Sequence, residues 1–104
     1  MKDHRVLKPD DEQAAEEALY SAILGLRNIA ECRAFFEDLC TPAELQAIKD
    51  RWIVAELLDQ GMTYRKINAR TGVSLTTIGR VARFLNSGAG GYATALRRRR
   101  KQNP

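Results

Sequence analysis

Between Thr41 and Gly61 the sequence specifies a complete helix, with its start, length and stop all written in. Thr41 can cap it, and Pro42 takes the first helical position, where a missing N–H costs nothing. Glu44 completes a capping box. The helix is expected to run to Gln60 and stop at Gly61. Leu45, Ile48, Trp52, Ala55 and Leu58 form one apolar face, which Ala47, Val54 and Leu57 widen. So wide an apolar surface suits a helix covered on more than one side, the spine of a fold. Trp52 lies on that stripe and is expected in the core rather than as a base-stacking platform.

Helical spacing recurs nearly everywhere else, and no strand-like alternation bounded by turn signals appears, so the fold class is all-α. A first helix is expected to start at Asp10, with Gln13 three residues on. Its stripe is Ala15, Leu19, Ala22, Ile23 and Leu26, and its acidic first turn complements the helix dipole. A second opens with Asn28 as cap and Glu31 as partner, carrying Ile29, Cys32, Phe35, Phe36, Leu39 and Cys40. Two short helices, Thr63–Thr71 and Ser74–Asn86, are separated by Gly72-Val73. The expected organisation is a flexible lead-in over 1–9, a helical domain over 10–86, and a glycine hinge with a basic tail over 87–104. In that tail Tyr92–Leu96 makes at most a brief helix, and the five cations Arg97–Lys101 end without structure. A chain of 104 residues forms one domain, near the size at which a second copy can usefully complete the core.

The apolar runs are too short to span a bilayer, and the N-terminus lacks the apolar middle of a signal peptide, so a cytoplasmic protein with no membrane partner is expected. Cys32 and Cys40 sit too far round one helical stretch for an easy bridge and lack partners at metal-ligand spacing. They are expected as buried, reduced thiols. His4 is the single histidine and stands outside any carboxylate or thiol constellation. The glycines at 88–91 have no lysine placed for phosphate binding. Neither an enzyme, nor a metal site, nor a cofactor is expected. Charge is the more informative property. Residues 1–52 carry 7 Lys/Arg against 11 Asp/Glu, whereas residues 53–104 carry 10 against 2. So basic a half points to a polyanion, with nucleic acid the first candidate.

The segment TYRKINARTGVSLTTIGRVARFLN has the layout of a helix-turn-helix, over about 63–86. Ile67 turns inward from its first helix, and Gly72 supplies the positive φ that the turn needs. Val73 is a buried plug, and Ser74 caps the second helix, where it joins the expected DNA-binding surface. Ile78, Val81 and Leu85 line the inner face of that helix. Thr76, Thr77, Gly79, Arg80 and Arg83 face outward, slim and polar enough for a major groove. No acidic residue occurs from Gly61 onward. Asn68 stands where a small residue is usual and Thr71 where an apolar one is common. Tyr64 is placed either to touch a phosphate or to pack its ring. The Arg97–Lys101 run is either an arm along the DNA backbone or a solvated tail.

Taken together, TPAE, ELLDQGM, YRKI and TGVSLTTIGR make the stretch from Thr41 to Leu85 resemble the Trp repressor superfamily, and within it the small bacterial YerC/YecD type, to which the NSGAGGY segment that follows is also similar. That resemblance implies a Trp-repressor-like helical bundle forming an intertwined homodimer, with two reading heads on double-stranded DNA. It implies that Arg65 contacts a base with Asn68 assisting, that Leu75, Thr76 and Gly79 face bases, and that Thr77 contacts a phosphate. It also places Thr41, Arg51 and Arg80 at positions near the corepressor, two of them the flanking arginines. Phe84, however, replaces a small pocket residue and Val81 a glycine, and Phe84 is expected to occupy much of the ligand's room. The expectation is therefore that Arg80 contacts phosphate and Arg51 pairs with Asp50 or Glu37, and that tryptophan is not the corepressor. The implied function is a sequence-specific transcriptional regulator, a repressor by type. The competing reading is a non-specific nucleoid-type or RNA-binding protein, and a third is a dimeric adaptor without DNA binding.

Overall fold

The computed structural model describes residues 7–102. These form six helices: α1 (Pro9–Leu24), α2 (Ile29–Leu39), α3 (Pro42–Asp59), α4 (Tyr64–Thr71), α5 (Leu75–Ser87) and α6 (Gly91–Gln102). No strand occurs among the described residues, as the helical spacing requires. His4 and most of the expected lead-in lie outside them. The chain divides between Cys40 and Thr41 into two compact units.

In the first unit, α1 begins one turn-defining residue earlier than expected. Pro9 rather than Asp10 opens it, because a proline at the first position has φ preset for the helix, and Lys8 is the cap residue. The helix ends before Leu26. In α2 the Asn28 side chain accepts from the Glu31 N–H at 2.9 Å, and the Glu31 carboxylate accepts from the Arg27 N–H at 2.9 Å. Phe35 and Phe36 meet edge to face with centroids 5.6 Å apart. No residue of α1 or α2 is buried. The cysteines are accordingly free, as expected, but not buried: Cys32 is exposed and Cys40 half-buried.

The second unit holds the core. At the start of α3 the Thr41 hydroxyl accepts from the Glu44 N–H at 3.1 Å, and the Glu44 carboxylate accepts from the Thr41 N–H at 2.8 Å. Val54, Ala55 and Leu57 of α3 are buried with Ile67 of α4, Val73 of the turn, and Ile78 and Val81 of α5. Trp52, Leu58, Met62 and Tyr92 pack around them. Ile48 and Ile53 of the same helix are exposed. Thus part of the apolar surface of α3 stays uncovered within its unit.

The C-terminal segment departs most from expectation. The break after α5 is only residues 88–90, and α6 then runs through the whole cationic stretch instead of ending near Leu96. Gly88 is required by close approach, since a Cβ there would lie 2.4 Å from the Phe84 carbonyl oxygen. What holds α6 is the burial of Leu96 together with ion pairs from Arg99 to Glu56 (3.5 Å) and from Arg100 to Asp59.

Candidate nucleic-acid interface

The helix-turn-helix forms because each of its corners is fixed locally. Thr63 caps α4 by accepting from the Lys66 N–H at 3.3 Å, and Gly72 ends α4 at φ +77°, a conformation that L side chains adopt only at a cost. The two residues that depart from the usual pattern turn out to hold the turn. The Asn68 amide donates to the Val73 carbonyl at 2.8 Å. The Thr71 hydroxyl donates to the Ile67 carbonyl at 2.7 Å and accepts from the Val73 N–H at 3.1 Å. A turn of this kind strands backbone groups that neither helix satisfies, and the two polar side chains satisfy them. Asn68 is half-buried with its amide already engaged, so its first role is to position Val73 and the start of α5.

At the start of α5, Ser74 Oγ accepts from the Thr77 N–H at 3.1 Å and donates its own hydrogen to Thr77 Oγ1 at 3.1 Å. The Thr77 hydroxyl hydrogen is therefore still available to a phosphate. Behind that cap lie the positive end of the helix dipole and, on the outer face, exposed Leu75, Thr76, Arg80 and Arg83 with half-buried Gly79. Tyr64 and Arg65 are exposed on the first turn of α4. Phe84, itself 46% exposed, lies beneath both outer arginines, with the Arg80 and Arg83 guanidinium carbons 5.6 and 5.9 Å from its ring centroid. Such stacking restrains two long side chains and leaves them less entropy to lose in any further contact.

The structure brings Arg51 and Arg80 together. They line a cleft of about 480 Å³ with Asp50, Ser74, Thr76 and Thr77, and a second of about 230 Å³ with Val81, Phe84 and Tyr92. Thr41 borders neither, being engaged in the α3 capping box. One expectation is corrected here. Arg51 has no ion pair among the described residues, and the Asp50 carboxylate accepts from Gln46 at 2.9 Å. Phe84 is among the residues that line the smaller cleft. Tyr92, which sequence reasoning passed over, enters this cleft from α6, and no local signal announces it.

No group of three or more His, Cys, Asp or Glu placed to hold a metal occurs among the described residues, and no helix there is long and apolar enough to cross a membrane. Residues 15–100 match the Trp repressor protein family. Over 82 residues the chain is 46% identical to the uncharacterized protein YerC of Bacillus subtilis (strain 168), covering 79% of each. It superposes on a TrpR-like protein from Eubacterium eligens ATCC 27750 with a TM-score of 0.78 and 42% identity, covering 82% of this chain and 88% of that one. With a candidate Trp repressor from Staphylococcus aureus the TM-score is 0.81 and the identity 40%, covering 90% and 96%.

Proposed function

This chain belongs to the Trp repressor protein family, and from that premise we propose that it is a sequence-specific DNA-binding transcriptional regulator acting as a homodimer. A DNA-binding regulator is the general reading that the family carries. The observation that supports the finer one is the outer face of the helix-turn-helix. There a capped α5 start, with Thr76, Thr77, Arg80 and Arg83, stands beside Arg65 with no carboxylate from residue 60 to 102. Residues 10–86 form the DNA-binding domain in this reading, with 63–86 as its reading head. The cytoplasm is its compartment.

The homodimer rests on uncovered apolar surface. Leu24, Ile29 and Leu39 of the first unit and Ile48 and Ile53 of α3 are all exposed in the single chain. A second copy covering them removes the one feature that a soluble chain of this size does not tolerate well. Two heads related by two-fold symmetry then read half-sites about one helical turn apart.

The test is selection of bound fragments from a random duplex pool, followed by Arg65→Ala. A single recurrent two-fold motif is expected. The variant should lose roughly 10- to 100-fold in affinity for it, as loss of one base contact predicts, and far less on random duplex. Equal losses on both would remove Arg65 from base reading and favour the non-specific reading.

Repression without tryptophan is part of the proposal. Of the two clefts that Arg51 and Arg80 border, the larger, about 480 Å³, is walled largely by polar groups of Asp50, Ser74, Thr76 and Thr77, and the apolar one, with Val81, Phe84 and Tyr92, holds only about 230 Å³. Millimolar tryptophan is accordingly expected to leave the melting temperature unchanged, whereas a ligand at about 100 times its Kd would add about 2.7 kcal/mol of stability. A clear upward shift would restore the corepressor.

A further inference from the structure

We propose that α6 is a rail for the DNA backbone, in which Arg97, Arg98 and Lys101 contact phosphates while Arg99 and Arg100 hold the helix in place. The proposal rests on the DNA-binding reading above and assigns a further contact surface to it. Helical geometry turns 100° per residue, so one face of α6 collects Tyr92, Leu96, Arg99 and Arg100. All four are engaged with the rest of the unit: Tyr92 half-buried against the core, Leu96 buried, and the two arginines paired with Glu56 and Asp59 of α3. The opposite face carries Arg97, Arg98 and Lys101, which are exposed and have no ion pair among the described residues. Five adjacent cations repel one another and favour a solvated chain. Neutralising two of them on α3 and burying Leu96 is what allows the other three to be presented as an ordered row.

The position of the row points to the reading head. Gln60 borders both the cleft that holds Glu56, Asp59, Arg99 and Arg100 and the one that holds Thr63 and Lys66. Arg99 and Arg100 pair with Glu56 and Asp59, so the C-terminal part of α6 lies at the end of α3 from which the chain turns into α4. Its composition selects the partner. The outer face has Thr94 among the cations and no aromatic or large apolar side chain. It lacks a platform on which unpaired bases could stack and an anchor for a lipid surface. What remains is attraction to the regularly spaced phosphates of a duplex.

The experiment compares the full chain with the triple variant Arg97→Gln/Arg98→Gln/Lys101→Gln. Binding to the selected duplex and to a random duplex is measured across a range of salt. Each phosphate contact contributes about 0.9 to the log–log slope, so the slope should fall by roughly 2–3 per chain, equally on both duplexes. The melting temperature and the preference for the selected duplex should stay as they were. In Arg99→Gln/Arg100→Gln, amide exchange through residues 92–102 should rise and the slope should fall as well. An unchanged slope in the triple variant, with the wild type still preferring its selected duplex, overturns the rail alone. Unchanged exchange in the double variant overturns the holding role. Loss of retention on anionic phospholipid vesicles with the DNA slope intact would reassign the row to a membrane and overturn it. A wild type that binds neither duplex overturns the DNA-binding reading together with the rail.

Discussion

Replacing Ile78 by Ala is expected to destabilise the second unit by about 2–5 kcal/mol, the range for truncating a large side chain in a packed core. Ile78 is fully buried, on α5, in the cluster that joins α3, α4 and α5 through Val54, Ile67 and Val81. No other contact of comparable burial holds the inner face of the recognition helix between the turn and Val81. Removing three carbons there leaves a cavity bordered by side chains from separate helices, which cannot all close on it. For a domain of this size each kcal/mol lowers the melting temperature by roughly 4–8 °C, so the shift should be of the order of 10–30 °C. Leu75→Ala, one turn earlier on the exposed face, is the control: its effect on stability should stay within about 0.5 kcal/mol while DNA binding weakens. Thermal unfolding followed by circular dichroism measures both. A loss below about 1 kcal/mol at Ile78 would mean that α5 is not held to α3 and α4 by this cluster.

The contrast between those two positions was legible in the sequence, and for a physical reason. Ile67, Val73, Ile78 and Val81 are buried where the helical spacing places them, and Thr41, Thr63, Gly72 and Ser74 cap or end helices where their chemistry suggests. Caps, positive-φ glycines and apolar stripes act within about one turn, so a single sequence carries them in full. Expectations resting on contacts distant in sequence fared differently. Glu56 and Asp59 lie some forty residues before Arg99 and Arg100, and nothing near the basic run signals that α3 neutralises part of it. The run therefore resembled a tail. Asn68 and Thr71 depart from the usual pattern, and residue type gives size and polarity but not the orphaned carbonyl and N–H of Val73 that their side chains satisfy. Arg51 sits beside Asp50 in the chain, yet neighbours in a helix point about 100° apart, and Gln46, one turn back, reaches that carboxylate first.

The first unit supplies the second large effect. In Leu24→Glu/Ile29→Glu the proposed homodimer should dissociate, and affinity for the proposed two-fold site should fall at least ~100-fold, the advantage that linking two reading heads confers. Leu24 is 85% exposed at the end of α1 and Ile29 76% exposed at the start of α2. In a chain that works alone, two substitutions at such positions would change stability by about 1 kcal/mol at most. Within an apolar interface each unpaired carboxylate costs several kcal/mol, and two-fold symmetry introduces every one of them twice. The two readings thus diverge by an amount no measurement would miss. Light scattering should report half the wild-type mass, while the capped helices α3 to α5 keep their helical signal, because their core draws on residues of the second unit alone. A variant that keeps the dimeric mass and the wild-type affinity would show that α1 and α2 leave these side chains in water. The apolar surface on Ile48 and Ile53 would then have to be what joins the two copies.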